Sequence, residues 1–293
     1  MKRYAAALGL TVLAGTLLIG PAPAYAAVTG AVISSEQTEF STTTPKVAEA
    51  RCPAGKRVTG GFGRVTGQPQ HVVLTRMEPI HTNNLDRFTV AASADETDPA
   101  GQWAVTAVAI CADPLPGQQI FSSTLDAPPG TSSRSASASC PSGLTMIGSG
   151  GRITGGQGEV ALSRTGPVLA SDPFRSTASG LADSTGFTGA WSVTAFVVCA
   201  EIPTSDVAQP SADSALNSVS PKAADVLCPP GMFVTGGGGQ TVNDISGNLV
   251  LQSIMPEALP GGIPGDEATV TARENNPIER IWLVRGRVHC ASR

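Results

Sequence analysis

The sequence predicts an all-β protein made of three tandem, disulfide-bonded repeats of about 88 residues. Three observations predict it. Charged residues make up only 14% of the 293-residue chain, too few to solvate long helices or a coiled coil. Gly (33) and Pro (23) are abundant, as many turns require. Six cysteines recur in one register, with Cys52, Cys140 and Cys228 spaced 88 apart. The hydrophobic content of 41% is high enough for a packed core and excludes a disordered tail.

Residues 1–26 read as a secretory signal peptide. Lys2 and Arg3 start it, Ala5 to Gly20 is uncharged and apolar, and Ala24-Tyr25-Ala26 places small residues at a cleavage site. The apolar run is shorter than the roughly 20 residues needed to cross a bilayer. No second run of spanning length follows, so no membrane span is expected in the mature chain, which is expected to be extracellular. Residues 27–293 then divide into repeats at 27–115, 116–203 and 204–293. Without Lys2 and Arg3 the chain keeps 17 basic against 23 acidic side chains. That balance repels nucleic acid, which is not expected as a partner.

Each repeat opens alike: Cys52-Pro53-Ala54-Gly55, Cys140-Pro141-Ser142-Gly143 and Cys228-Pro229-Pro230-Gly231. Gly60, Gly148 and Gly236 stand eight residues past the cysteine, and Gly63, Gly151 and Gly239 stand eleven past it. A strand-like run ending at Pro79, Pro167 or Pro256 comes next. Each repeat closes on a Trp eight residues before a second Cys: Trp103 with Cys111, Trp191 with Cys199, Trp282 with Cys290. Of the 15 pairings six cysteines allow, one repeats the same bond in every unit. It joins Cys52 to Cys111, Cys140 to Cys199 and Cys228 to Cys290. An exported chain meets an oxidising compartment where such bonds last.

The closing segments alternate with period two and are rich in β-branched residues, as a strand requires. Trp and Cys fall on one apolar face, so the indole is expected to pack over the disulfide. The opposite face is apolar too (Ala104, Val108 and Ile110; Phe196 and Val198), which implies burial on both sides. With further strands at Ala31 to Ser34, Val47 to Cys52 and Arg87 to Ala92, each repeat has about six. Two assemblies fit: three small sandwiches in a row, or one closed body with pseudo-three-fold symmetry. Surface-to-volume scaling favours the second.

Through its Cys-Pro-x-Gly openings and Trp-x-Val-x-Ala-x3-Cys-Ala endings the chain resembles a recurring repeat of secreted bacterial, especially actinobacterial, proteins. It is more distantly similar to the vitelline membrane outer layer protein, a three-fold β-prism. The resemblance implies a secreted, β-prism-like protein and implies no activity.

No catalytic residue is assigned. His71, His81 and His289 are the only imidazoles and none recurs between repeats. No cofactor or bound metal is expected, because no Cys-x-x-Cys spacing occurs. Asp95, Asp183 and Glu274 recur before each closing strand, and Asp95-Glu96-Thr97-Asp98 offers oxygen ligands of the kind calcium takes. A polar turn explains them as well. Arg285, Arg287 and His289 line the outward face of the last strand, where the other repeats carry small or apolar residues. They are the candidate binding residues, suited to an anionic glycan or cell-wall polymer. The expected function is a secreted, non-catalytic binding or matrix-associated protein. The alternatives are a hydrolase using a carboxylate pair among Glu78, Asp95, Glu96 and Asp98, and an enzyme inhibitor presenting an exposed loop at Thr75 to Pro79.

Overall fold

A computed structural model describes residues 27–67, 71–82, 85–97, 101–168, 172, 174–244 and 247–293. The expected signal peptide and Asp98 lie outside the described residues. The chain is all-β, with 19 strands in three sheets among the described residues.

The first sheet runs β1 (Val32–Gln37), β6 (Trp103–Ala112), β3 (Arg57–Gly67), β17 (Leu249–Leu259), β18 (Ile263–Glu274) and β15 (Lys222–Leu227). The second runs β2 (Lys46–Arg51), β5 (Leu85–Ala94), β4 (Val72–Thr82), β9 (Thr145–Thr154), β12 (Trp191–Ala200) and β7 (Gln119–Ala127). The third runs β13 (Val207–Ala208), β19 (Leu283–Ser292), β16 (Met232–Val242), β10 (Val160–Pro167), β11 (Arg175–Ala182) and β8 (Ser133–Ser139), with β14 (Ser211–Asp213) also on β19.

No sheet is confined to one 88-residue segment. The first two take three strands from each of two segments, and the third takes three from the middle segment and four from the last. The segments join at β3–β17, where Arg64 faces Ser253, at β4–β9, where Arg76 faces Arg152, and at β10–β16, where Arg164 faces Gln240. The physical reason is the sheet edge. A three-stranded half-sheet leaves a row of unpaired N–H and C=O groups, and pairing with the next segment removes it.

Within a segment the two half-sheets face each other across an apolar core. In the middle segment Ala136, Leu162 and Ala178 of the third sheet pack with Val193, Ala195 and Val197 of the second. Both faces of β6 are buried along its whole length, as its apolar alternation implied.

The three sheets meet at the glycines spaced 88 apart. A β-carbon on Gly148 would lie 1.9 Å from the carbonyl oxygen of Thr59, and one on Gly60 would lie 2.5 Å from that of Thr235. One on Gly236 would lie 3.2 Å from the α-carbon of Gly60. Thus β3, β9 and β16 touch backbone to backbone. Thr59 Oγ1 donates to Thr235 O at 3.2 Å and Thr235 Oγ1 to Ile147 O at 2.6 Å, tying all three together. Val73, Ala161 and Val250, one from each of β4, β10 and β17, form a second meeting point.

All three expected disulfides are present, and no cysteine is free. Their placement goes beyond the expectation. Cys52, Cys140 and Cys228 each follow a strand of one sheet directly, whereas Cys111, Cys199 and Cys290 lie in a strand of another. Each bond stays within its segment yet joins two sheets, so the three bonds link the three sheets pairwise.

The tryptophans are buried, at 0%, 4% and 0% exposure for Trp103, Trp191 and Trp282. They do not sit over the disulfides. Trp103 opens β6 and Cys111 lies eight residues on, about 26 Å away at 3.3 Å per residue. A shared face is not a shared position. Two of the indoles instead lie under an ammonium: Lys46 Nζ is 4.9 Å from the Trp103 ring, and Lys222 Nζ is 4.8 Å from that of Trp282.

Candidate functional site

The outer face of the third sheet gathers the strongest concentration of binding chemistry. Its β8 and β11 carry a hydroxyl ladder, with Ser135 and Ser179 Oγ atoms 2.8 Å apart and Ser137 and Thr177 hydroxyls 2.8 Å apart. The ladder forms because the two strands pair in register, Ser179 opposite Ser135. A shallow cavity of about 450 Å³ lies against it, lined among others by Ser132, Ser135, Ser163, Ser179, Arg164 and Gln240. Asp244 also lines it, and its carboxylate accepts from the N–H groups of Gly247 and Leu249.

Gln240 is the link to the arginines. It faces Arg164 on one side and Arg285 on the other. Arg285 is held by Asp213 in a two-pronged pair, Nε to Oδ1 and Nη2 to Oδ2, both at 2.6 Å. This pairing raises the pKa of Arg285 and lowers that of Asp213. Arg287 Nη1 donates to Pro167 O at 3.2 Å and to Val168 O. Arg164 Nη2 donates to the same Val168 oxygen at 3.2 Å. Burial, and then the neighbouring guanidiniums, lowers the pKa of both Arg164 and Arg287.

Of the three residues expected on this face, Arg285 and Arg287 are there and His289 is not. His289 is 1% exposed, and its Nε2 lies 2.7 Å from Ser149 Oγ on β9. The β16–β19 register shifts between Val234 and Gly236, next to the Gly236–His289 pair. Here the three sheets converge, so a side chain that would face outward further along the strand is enclosed. Arg164 is the residue that sequence reasoning missed. It lies in another segment, and nothing in its own neighbourhood marks β10 as a partner of β16.

Burial pushes the His289 imidazole down to about 3. An unfolded chain takes up this proton near pH 6.5, and the folded chain does not. Stability therefore falls as pH drops from about 6.5 towards 3. Between pH 6.5 and 5 the loss is about 2 kcal/mol, at roughly 1.4 kcal/mol per unit. His289→Val, matching Val198, should remove this part of the acid slope in thermal unfolding measured over that range. An unchanged slope would contradict the neutral, enclosed imidazole.

The recurring acidic positions meet at a different joint. Asp95, Glu96 and Asp183 bring one carboxylate oxygen each within 4.8 Å of one another. Burial and the neighbouring Glu96 push the Glu159 carboxyl up to about 8. Its hydrogen bond to Glu159 holds the Glu96 carboxyl below the usual range. The backbone N–H of Glu96 donates to Glu159 Oε1 at 3.0 Å. Asp95 is further tied to His71 Nδ1 at 3.0 Å and to Asn275 Nδ2 at 3.1 Å. The third member of the recurring set is Asn275 and not Glu274. The backbone bonds Asp95 N to His71 O, Asp183 N to Glu159 O and Asn275 N to Asn248 O define the equivalent positions. Glu274 instead accepts from Trp282 Nε1 at 2.9 Å.

Two other expectations change. Glu78 is 7% exposed and paired with Arg76 at 2.5 Å and Arg152 at 3.1 Å, so it is a structural ion pair at the β4–β9 joint. Thr75 to Pro79 is not an exposed loop. It lies inside β4, with Met77 facing Gly151 of β9.

No protein-family model matches the chain, and no curated protein does.

Proposed function

We propose that this is a secreted, non-catalytic binding protein that attaches to extracellular glycan or cell-wall polymer through the outer faces of its sheets, on a β-prism-like body. The observation that carries this reading is the hydroxyl-lined shallow cavity of the third sheet, bordered by Gln240 and Arg164. Sugars present hydroxyls spread over an extended surface, and a flat ladder of Ser, Thr, Gln and Arg offers matching donors and acceptors. Three internal disulfides support an oxidising location. Among the described residues no helix is long and apolar enough to cross a membrane.

A glycan-array screen of the purified chain, run beside a pull-down on the producing organism's own wall, tests the reading. Retention on defined glycans is the expected result. Binding no better than background in both assays would remove it.

A further inference from the structure

The two guanidiniums of Arg164 and Arg287 converge on one neutral acceptor, the carbonyl oxygen of Val168. Arg285 stands beside them and disfavours the charge of both, and Arg164 disfavours that of Arg287. Two carboxylates stand on this face against three positive groups: Asp213 is bound to Arg285 and also favours the charge of Arg287, and Asp244 lines the cavity with Arg164. Asp244 is turned to backbone N–H groups. A chain whose overall charge is −4 thus keeps an excess of positive charge at the β10–β16 joint. All three side chains are partly withdrawn from water, which screens the repulsion less than open solvent does. An arrangement of this kind is relieved by an anion. Guanidiniums meet carboxylate and sulfate through paired N–H donors. The adjoining hydroxyl ladder supplies contacts for the rest of a sugar chain.

We propose that this face is an acidic-polysaccharide site, in which Arg164 and Arg287 bind a carboxylate or sulfate group of the polymer and the Ser135–Ser179 ladder with Gln240 holds the neighbouring sugar hydroxyls. The proposal rests on the glycan-binding reading above and names the class of glycan. Asp213 restrains the site by holding Arg285 and opposing an incoming anion.

Isothermal titration with a heparin hexasaccharide, a galacturonate hexamer, maltohexaose and a single-stranded hexadeoxynucleotide tests it on the full secreted chain. The acidic sugars should bind and weaken as NaCl rises, and maltohexaose should not bind. Arg164→Ala with Arg287→Ala should lower affinity at least tenfold. Asp213→Asn, which leaves the carbonyl contacts of Arg287 in place, should raise affinity several-fold. It also keeps the test valid should the double variant misfold, which its thermal unfolding reveals. Acidic sugars that bind the double variant as they bind the native chain, or no gain with Asp213→Asn, would overturn the site. Equal binding of the oligonucleotide would overturn the glycan class. Array hits confined to neutral glycans would overturn this proposal and leave the broader reading standing. An array without hits together with a wall pull-down at background removes both.

Discussion

Gly148→Ala should be among the most damaging single substitutions in the chain. The new β-carbon would lie 1.9 Å from Thr59 O and 2.9 Å from Thr59 C, both backbone atoms of another strand. No side chain can rotate away to make room, so β9 must move off β3 and the meeting of the three sheets must open. Overpacking of a well-filled core costs about 1–3 kcal/mol and more where backbone must shift. A loss of at least about 3 kcal/mol in denaturant unfolding is therefore expected. The equivalent positions provide an internal scale. Gly60→Ala meets Thr235 O at 2.5 Å and should be intermediate. Gly236→Ala meets its nearest atom at 3.2 Å and should be mildest. A reversed order, with Gly236→Ala worst, would show that the three strands do not pack in this way.

Removing the bond between Cys140 and Cys199, with both replaced by Ala, should cost about 4 kcal/mol. The bond closes 59 residues, and the chain-entropy account assigns a loop of that length about that much. In thermal unfolding this corresponds to a drop of roughly 8 °C for a chain of this size. The other two bonds close 59 and 62 residues and should cost nearly the same if each is deleted alone. Deleting two should cost more than the sum. The sheets are cross-linked pairwise, so with one bond gone every sheet still carries a disulfide to another, whereas the second deletion leaves one sheet joined to the others only through the main chain and packing. Strict additivity would argue that the bonds act only within their own segments.

Local features of this architecture were legible because they repeat. The 88-residue spacing picked out Gly60, Gly148 and Gly236, and it selected the disulfides. The alternation in Trp103 to Ala112 announced a strand buried on both faces. Features that depend on the partner strand were hidden. Arg64, Arg76 and Arg164 each sit at a joint between segments, but their own surroundings do not say which strand lies opposite. Pairing across more than 70 residues leaves no local mark, as with Arg164 and Gln240. The same limit explains His289. Alternation placed it with Arg285 and Arg287, and only the convergence of three sheets encloses it. The tryptophans show a different gap. Period two assigns a face correctly but says nothing of distance along it, so Trp103 and Cys111 share a side and do not touch.

The account depends on the segments forming one interlocked body, because every sheet and the candidate site draw on two of them. Differential scanning calorimetry of oxidised residues 27–293 tests this most directly. One transition is predicted, with the calorimetric enthalpy equal to the van't Hoff enthalpy. Three resolved transitions, or a van't Hoff enthalpy near one third of the calorimetric value, would mean that the segments unfold independently and would contradict the account.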